Sequence, residues 1–261
     1  MSTKRPTAVK ATLRSAGTLL ASLMALLALW FVAASLIGSR AFPSPGEVLA
    51  VLIRDAVSGE LFFHLGMTLM RVAAAFVLAM AIGSAIGIGL GRSRRADRFF
   101  DPWVILFLNV PALVTIVLAY IWFGLNEAAA IGAVAVNKIP NVAITLREGA
   151  RSIDPGLTEM AKVFRLSRWK MLRHVVLPQL QPFLAAATRS GIALIWKIVL
   201  VVELLGRSSG VGFQIHLYFQ YFDVAAILAY TLSFVAVMLA VELLVLQPYE
   251  RAARRWRPGN A

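Results

Sequence analysis

The chain has 261 residues, 59% of them hydrophobic and 15% charged, with 26 Lys and Arg against 13 Asp and Glu. A mean hydropathy of +0.77 excludes an ordinary soluble domain, which needs far more polar surface at this length. The absence of cysteine excludes a disulfide framework and a thiolate metal site.

The basic residues lie between apolar blocks, not on one soluble face, which points to a lipid bilayer and away from nucleic acid as the partner. Blocks of roughly 20 residues, the length a helix needs to cross the hydrocarbon, fall near 17–37, 66–90, 103–123, 128–146, 180–202 and 224–246. The expected fold is an all-α membrane protein, a single transmembrane domain over 1–261 with about six spans. The amino end (Lys4, Arg5, Lys10 and Arg14 before an apolar run) has the look of a signal peptide. The run from Gly17 to Ile37 is nevertheless long enough to span, and no small-residue cleavage site follows it, so it reads as an uncleaved first helix.

After the first span, residues 42–57 (FPSPGEVLAVLIRDAV) open on prolines and then offer a short amphipathic helix from Pro45, expected along the outer membrane surface. The second span carries Gly83, Gly87 and Gly91 at four-residue spacing beside Ser84, a stripe that lets helices approach closely or borders a pore. The third and fourth spans are separated only by Gly124–Glu127 and should form an antiparallel hairpin. Asn137 and Pro140 should break the fourth span near its middle, either exposing carbonyls to a cavity or simply kinking the helix.

Residues 147–179 form a loop too long for a simple connection. Asp154 can cap a helix with Pro155 at its first position. Leu157, Met160, Ala161 and Phe164 then share one face, with Glu159, Lys162 and Arg165 on the other. A second short helix over about 167–175 begins at Ser167, turns Trp169, Leu172 and Val176 inward, and ends at Pro178. Such a hairpin either docks a soluble partner or merely covers helix ends.

Orientation follows from the connections. One side holds the basic amino tail, Arg92, Arg94, Arg95 and Arg98, the cations of the long loop, and Arg251, Arg254, Arg255 and Arg257; the other holds only Arg40, Arg54 and Arg207. Both termini and the long loop are therefore expected in the cytoplasm. His64, His174 and His216 lack metal-ligand spacing. Glu148, Asp154 and Glu159 lie on a charged loop without a pocket, so neither a metal site nor catalytic residues are expected. GSAIGIGLG is a glycine stripe inside a span and not a phosphate-binding loop, so no cofactor is expected on this chain.

The segment EMAKVFRLSRWKMLRHVVLP resembles the loop of binding-protein-dependent ABC importer permeases, whose pattern is Glu-Ala-Ala, three residues, Gly, nine residues, Ile, one residue, Leu-Pro. Glu159, Ala161, Leu177 and Pro178 match, while Met160, Arg165 and Val175 replace the second Ala, the Gly and the Ile. Because that Gly permits the turn between the short helices, Arg165 should take another backbone angle or the turn should shift by a residue. FPSPGEVL, TLMR, VPALVTIVLAYIWFG, LREGARSID and RSSGVGF extend the resemblance over nearly the whole chain, toward the permeases for nitrate, sulfonate and taurine.

The resemblance implies a coupling helix over 157–165 that inserts into a separate ATP-binding subunit, with Glu159 as the principal polar contact. Met160, Ala161, Phe164 and Arg165 complete the coupling surface, and Leu166, Ser167 and Arg168 lie at its exit. It further implies two ATPase copies, a second permease copy as a homodimer partner, and a periplasmic solute-binding protein docking near 42–57 and 207–223. The place would be a bacterial inner membrane, and ATP would be bound and hydrolysed by the partner.

Arg71, Lys138, Arg189 and Lys197, with Glu242 and the border residue Glu203, are the charges inside the spans, each costing about 2.5–3.5 kcal/mol near mid-bilayer. Lys138 and Lys197, with Asn137, would suit a pathway for a small anion. Alternatively, Lys197 pairs with Glu203 or snorkels and Arg189 sits low at the cytoplasmic end. A neutral or heterocyclic solute stays open. An ATP-independent transporter would call for intramembrane acidic relays, which this chain almost lacks. A non-transporting scaffold would have no use for the loop.

Overall fold

Apolar periodicity becomes helix along the chain. The computed structural model describes residues 8–249, and among them every regular element is helical. In chain order these are α1 (Ala8–Ile37), α2 (Pro45–Ser58), α3 (Glu60–Arg92), α4 (Arg94–Asn109), α5 (Ala112–Phe123) and α6 (Glu127–Arg151). They continue with α7 (Pro155–Val163), α8 (Arg168–Met171), α9 (Leu177–Gly206), α10 (Val211–Gln220) and α11 (Val224–Val241), with π-helical turns at Leu172–Val176 and Glu242–Leu246. The all-α membrane fold read from the sequence is thus borne out. The basic tails at Lys4, Arg5, Lys10 and Arg14 and at Arg251, Arg254, Arg255 and Arg257 have side chains outside the described residues.

Among the described residues, four helical stretches are long and apolar enough to cross a bilayer: Glu60–Arg92, Glu127–Arg151, Arg168–Gly206 and Val224–Tyr249. Within α1, Ala21–Ile37 is a shorter apolar stretch. The expected third span, 103–123, is not one helix. Its halves, α4 and α5, meet at 93°, and only as a bent pair do they make a fifth span. Pro111 causes the break, because a proline has no N–H to continue the ladder and pushes the residue before it out of the helical region. Val110 is extended accordingly, at φ −70° and ψ 123°.

Two further expectations are corrected at prolines. Pro140 does not break the fourth span, since α6 runs unbroken from Glu127 to Arg151 around it. Pro178 does not end the second loop helix. α8 passes through the π turn into α9, where Pro178 occupies the first turn and needs no N–H partner.

The glycine stripe of α3 is a packing surface. A Cβ at Gly83 would come within 2.6 Å of Val142 Cβ, one at Gly91 within 2.6 Å of Ala150 Cβ, and one at Gly87 would run into the Ala143 carbonyl. The helices α3 and α6 therefore touch backbone to backbone. Around them, Val72, Ile116, Ala133 and Ile195 join α3, α5, α6 and α9 in one core, and Leu65, Val211 and Phe234 join α3, α10 and α11 in another. The outward faces keep Phe62, Ile121 and Trp122 exposed, as a lipid-facing surface requires.

The short helix expected after Pro45 is α2. Ser44 and Glu47 form a reciprocal capping box, Ser44 N–H donating to Glu47 at 2.7 Å, and Gly59 closes the helix at φ +85°. Trp30 Nε1 donates to the Pro43 carbonyl at 3.0 Å and ties α1 to this turn.

Candidate functional site

The loop 147–179 builds a compact hairpin of α7 and α8. Asp154 caps α7, accepting from the Gly156 N–H at 2.7 Å, with Pro155 at the first helical position. Its own N–H donates to Gln179 Oε1 at 2.8 Å, which fastens the start of α7 to the foot of α9. Ser167 caps α8 in the same way, accepting from the Lys170 N–H at 3.3 Å.

The turn between the two helices is set by Arg165 itself, at φ +49°. Leu166 N–H donates to the Ala161 carbonyl at 3.0 Å and Arg165 N–H to the Lys162 carbonyl at 2.9 Å, the paired bonds of a Schellman motif. Neither expectation for this residue holds: the turn has not shifted, and Arg165 adopts the left-handed angle that a glycine would take there.

The apolar face read for α7 is mostly uncovered. Only Ala161 is buried, at 1% exposure, while Leu157, Met160 and Phe164 are exposed, Phe164 at 72%. Trp169, expected inward, is 67% exposed, and Leu172 is exposed as well; Val176 is buried as expected. A methyl-sized side chain lets α7 lie close against the π turn, and its larger apolar groups then project past that contact. Glu159, Arg165, Ser167 and Arg168 are exposed on the same hairpin, as is Leu166.

The three candidates within the spans separate. Lys138 is 1% exposed, and its Nζ has no hydrogen-bond partner. Lys197 is exposed, with Nζ 5.5 Å from the Trp196 ring centroid, and does not pair with Glu203. It lies on an uncovered stripe of α9 with Ala186, Ser190, Ala193, Val201 and Leu204. Asn137 donates to the Val110 carbonyl at 3.3 Å, so it braces the bend between α4 and α5. Arg189 approaches Glu242 at 3.8 Å.

At the opposite end from the hairpin is a buried polar cluster that sequence reasoning missed as a unit. All five N–H groups of Arg71 are used. Nε and Nη2 grip Glu127 at 2.8 and 2.7 Å, Nη1 meets Glu203 and the Ser209 carbonyl at 2.7 Å each, and Nη2 reaches Ser209 Oγ at 2.8 Å. Arg207 adds a second cation to Glu127 at 2.5 Å.

The first turn of α10 has no side-chain cap of its own, yet its N–H groups are satisfied from below. Gly210 donates to His64 Nδ1 at 3.0 Å, Val211 to Thr68 Oγ1 at 2.8 Å, and Gly212 to Glu203 Oε2 at 2.9 Å. A carboxylate thus sits under a helix N-terminus, where the dipole favours it. Gly210, at φ +109°, leaves the space that Glu203 fills. The available signal was His64, Thr68 and Arg71 at helical spacing on one face of an otherwise apolar span.

This architecture, with several membrane-length helices, a projecting hairpin at one end and a polar clamp at the other, defines a multi-pass membrane protein. The chain belongs to the binding-protein-dependent transport system inner membrane component family, whose model matches residues 79–258. It is 31% identical over 240 residues to a protein of Escherichia coli (strain K12) named for aliphatic sulfonates transport, covering 90% of this chain and 89% of that one. The taurine transport system permease protein of the same organism is 28% identical over 235 residues, covering 87% and 86%. In fold, a chain from the crystal structure of an amino acid ABC transporter superposes with a TM-score of 0.61 at 21% identity, over 77% of this chain and 97% of that one. The resemblance read from the loop is therefore borne out at the level of the family, and the chain is a permease subunit and not itself an enzyme.

Proposed function

We propose that the chain forms half of the translocation pathway of an ATP-driven importer for a small anion of the sulfonate or taurine kind, with α7 as the element that a separate ATP-binding subunit moves. The observation that carries this reading is the hairpin. Leu157, Met160, Val163 and Phe164 project from α7 and its C-cap, a helix only nine residues long, and Trp169 projects from α8 beside it, leaving apolar side chains on a charged surface. Such a patch is unfavourable in water and well suited to insertion in a cleft. Glu159 and Lys162 supply polar contacts around it.

The hairpin lies in the chain between α6 and α9, so a displacement of α7 reaches α9 through Gln179 and the π turn and α6 through the short connection after Arg151. Transport then requires the ATPase to bind this face differently in two arrangements of the helices. The basic connections on the hairpin side support a cytoplasmic hairpin and cytoplasmic termini, in a bacterial inner membrane. Two ATPase copies, a second permease copy and a periplasmic solute-binding protein meeting the α2 and α10 end complete the assembly. Lys197, on the uncovered stripe of α9, is the cation placed to meet the anion, and the names of the sulfonate and taurine relatives support that charge.

Mild-detergent affinity purification of the tagged chain from its own cells, with every co-purifying subunit identified, tests the reading. An ATP-binding subunit should accompany the chain, and Glu159→Ala or Phe164→Asp should weaken that association while leaving the thermal transition of the chain alone unchanged. Purification without any such subunit, with transport in liposomes lacking ATP, would replace the proposal by a secondary transporter.

A further inference from the structure

At the hairpin end of α3 and α6 lie two adjoining hollows that share Leu90. One is an apolar groove of about 550 Å³ between α3, α4 and α6, with Gly89, Phe100, Trp103, Phe107, Val136 and Pro140 among its walls. The other is a polar basin of about 940 Å³ walled by Arg94, Arg98, Arg147 and Arg151 together with Asp97 and Asp101, an excess of two positive charges.

The four arginines are not equivalent. Arg147 pairs with Asp97 at 3.1 Å and with Asp101, and Arg151 pairs with Asp97 and, at 2.9 Å, with Glu148. The bonds to Asp97 and Asp101 fasten α4 to α6 and fix the walls of both hollows. Arg94 and Arg98 are exposed, and neither has a side-chain hydrogen bond or ion pair among the described residues. The net positive charge of the basin therefore rests on two arginines without partners.

We propose that the two hollows together hold one anionic phospholipid, its phosphate between Arg94 and Arg98 and one acyl chain in the groove. Charge complementarity selects the head: basic pockets between helices at the membrane surface favour anionic headgroups. The groove selects a tail, since its walls are apolar and non-directional. Along α4 from Ala96 to Phe107 it extends about 16 Å at 1.5 Å per residue, an elongated shape suited to a hydrocarbon chain. A free phosphate would share the chemistry of the basin but leave the groove empty. The inference does not depend on what the protein transports.

The test is native mass spectrometry of the chain with its co-purifying subunits, taken from bilayers of defined phosphatidylglycerol and phosphatidylcholine content. One phosphatidylglycerol per chain should be retained and should resist exchange for phosphatidylcholine. An Arg94→Gln, Arg98→Gln double variant should lose that preference by about five-fold for each arginine. Gly89→Leu, whose added Cβ meets open space, should lose the bound lipid with its oligomeric mass unchanged. Equal retention of the two lipids, or undiminished preference in the arginine variant, would overturn the proposal. Inorganic phosphate displacing the phosphatidylglycerol headgroup at equal concentration would reassign the basin to a free anion. A change of oligomeric mass in Gly89→Leu would reassign the groove to a second copy of the chain.

Discussion

Arg165 holds a backbone angle at which an L side chain crowds its own carbonyl, at about 1–2 kcal/mol. A glycine is free of that strain but loses more freedom on folding, so Arg165→Gly should tighten the hairpin by about 0.5–1 kcal/mol. Hydrogen exchange at the Leu166 amide, whose bond closes the turn, should slow by about two- to five-fold; faster exchange would mean that the Arg165 side chain itself supports the turn. The Arg71–Glu203 pair behaves oppositely. Both side chains are buried, and without Glu203 the two cations Arg71 and Arg207 share Glu127 alone while the Gly212 N–H loses its acceptor. Glu203→Leu should therefore destabilise the chain by about 3–5 kcal/mol. Arg71→Met with Glu203→Leu should lose less than the sum of the single variants, as read from unfolding in detergent. Strict additivity would show that the two groups act through other partners. The charges of this pair were visible in the sequence, but their meeting across more than a hundred residues was not.

Among the elements, α3 and α6 depend on small residues where their backbones touch. Gly87→Val would press a side chain into the Ala143 carbonyl and to 2.9 Å from Leu146 Cβ, and should cost about 1–3 kcal/mol by forcing the helices apart. Gly66, on the same helix, faces open space. Gly66→Ala should be neutral or stabilising by up to about 1 kcal/mol, and equal loss in both variants would discredit the packing argument. Spacing made this stripe legible, and the Pro45, Asp154–Pro155 and Ser167 starts were legible because the chemistry of a helix start is local. The bend at Pro111 and the unbroken helices through Pro140 and Pro178 were not. A proline ends a helix only when the surroundings cannot take up the lost bond and the ring, and whether they can depends on the packing of neighbouring helices.

For the whole molecule, the two span lysines should part company. Lys197 lies on the uncovered stripe of α9, so Lys197→Gln should reduce uptake of the anion about tenfold or more, as expected for losing a charged hydrogen bond, while Lys197→Arg retains most of it. Lys138 is sealed and unpartnered, so Lys138→Met should raise the thermal transition of the chain. Uptake indifferent to Lys197→Gln would remove that residue from the pathway. What the sequence determined by itself was the membrane class, the positions of most spans, the hairpin and the family, because hydropathy, charge between spans and capping act over a few residues. The tertiary structure decided that Ala161 is the one side chain of α7 to be buried and that Arg71, Glu127 and Glu203 form one clamp. It also decided that Lys138 and Lys197 face different surroundings. Each of these depends on which helix faces lie together, and that is settled by packing between segments far apart in the chain.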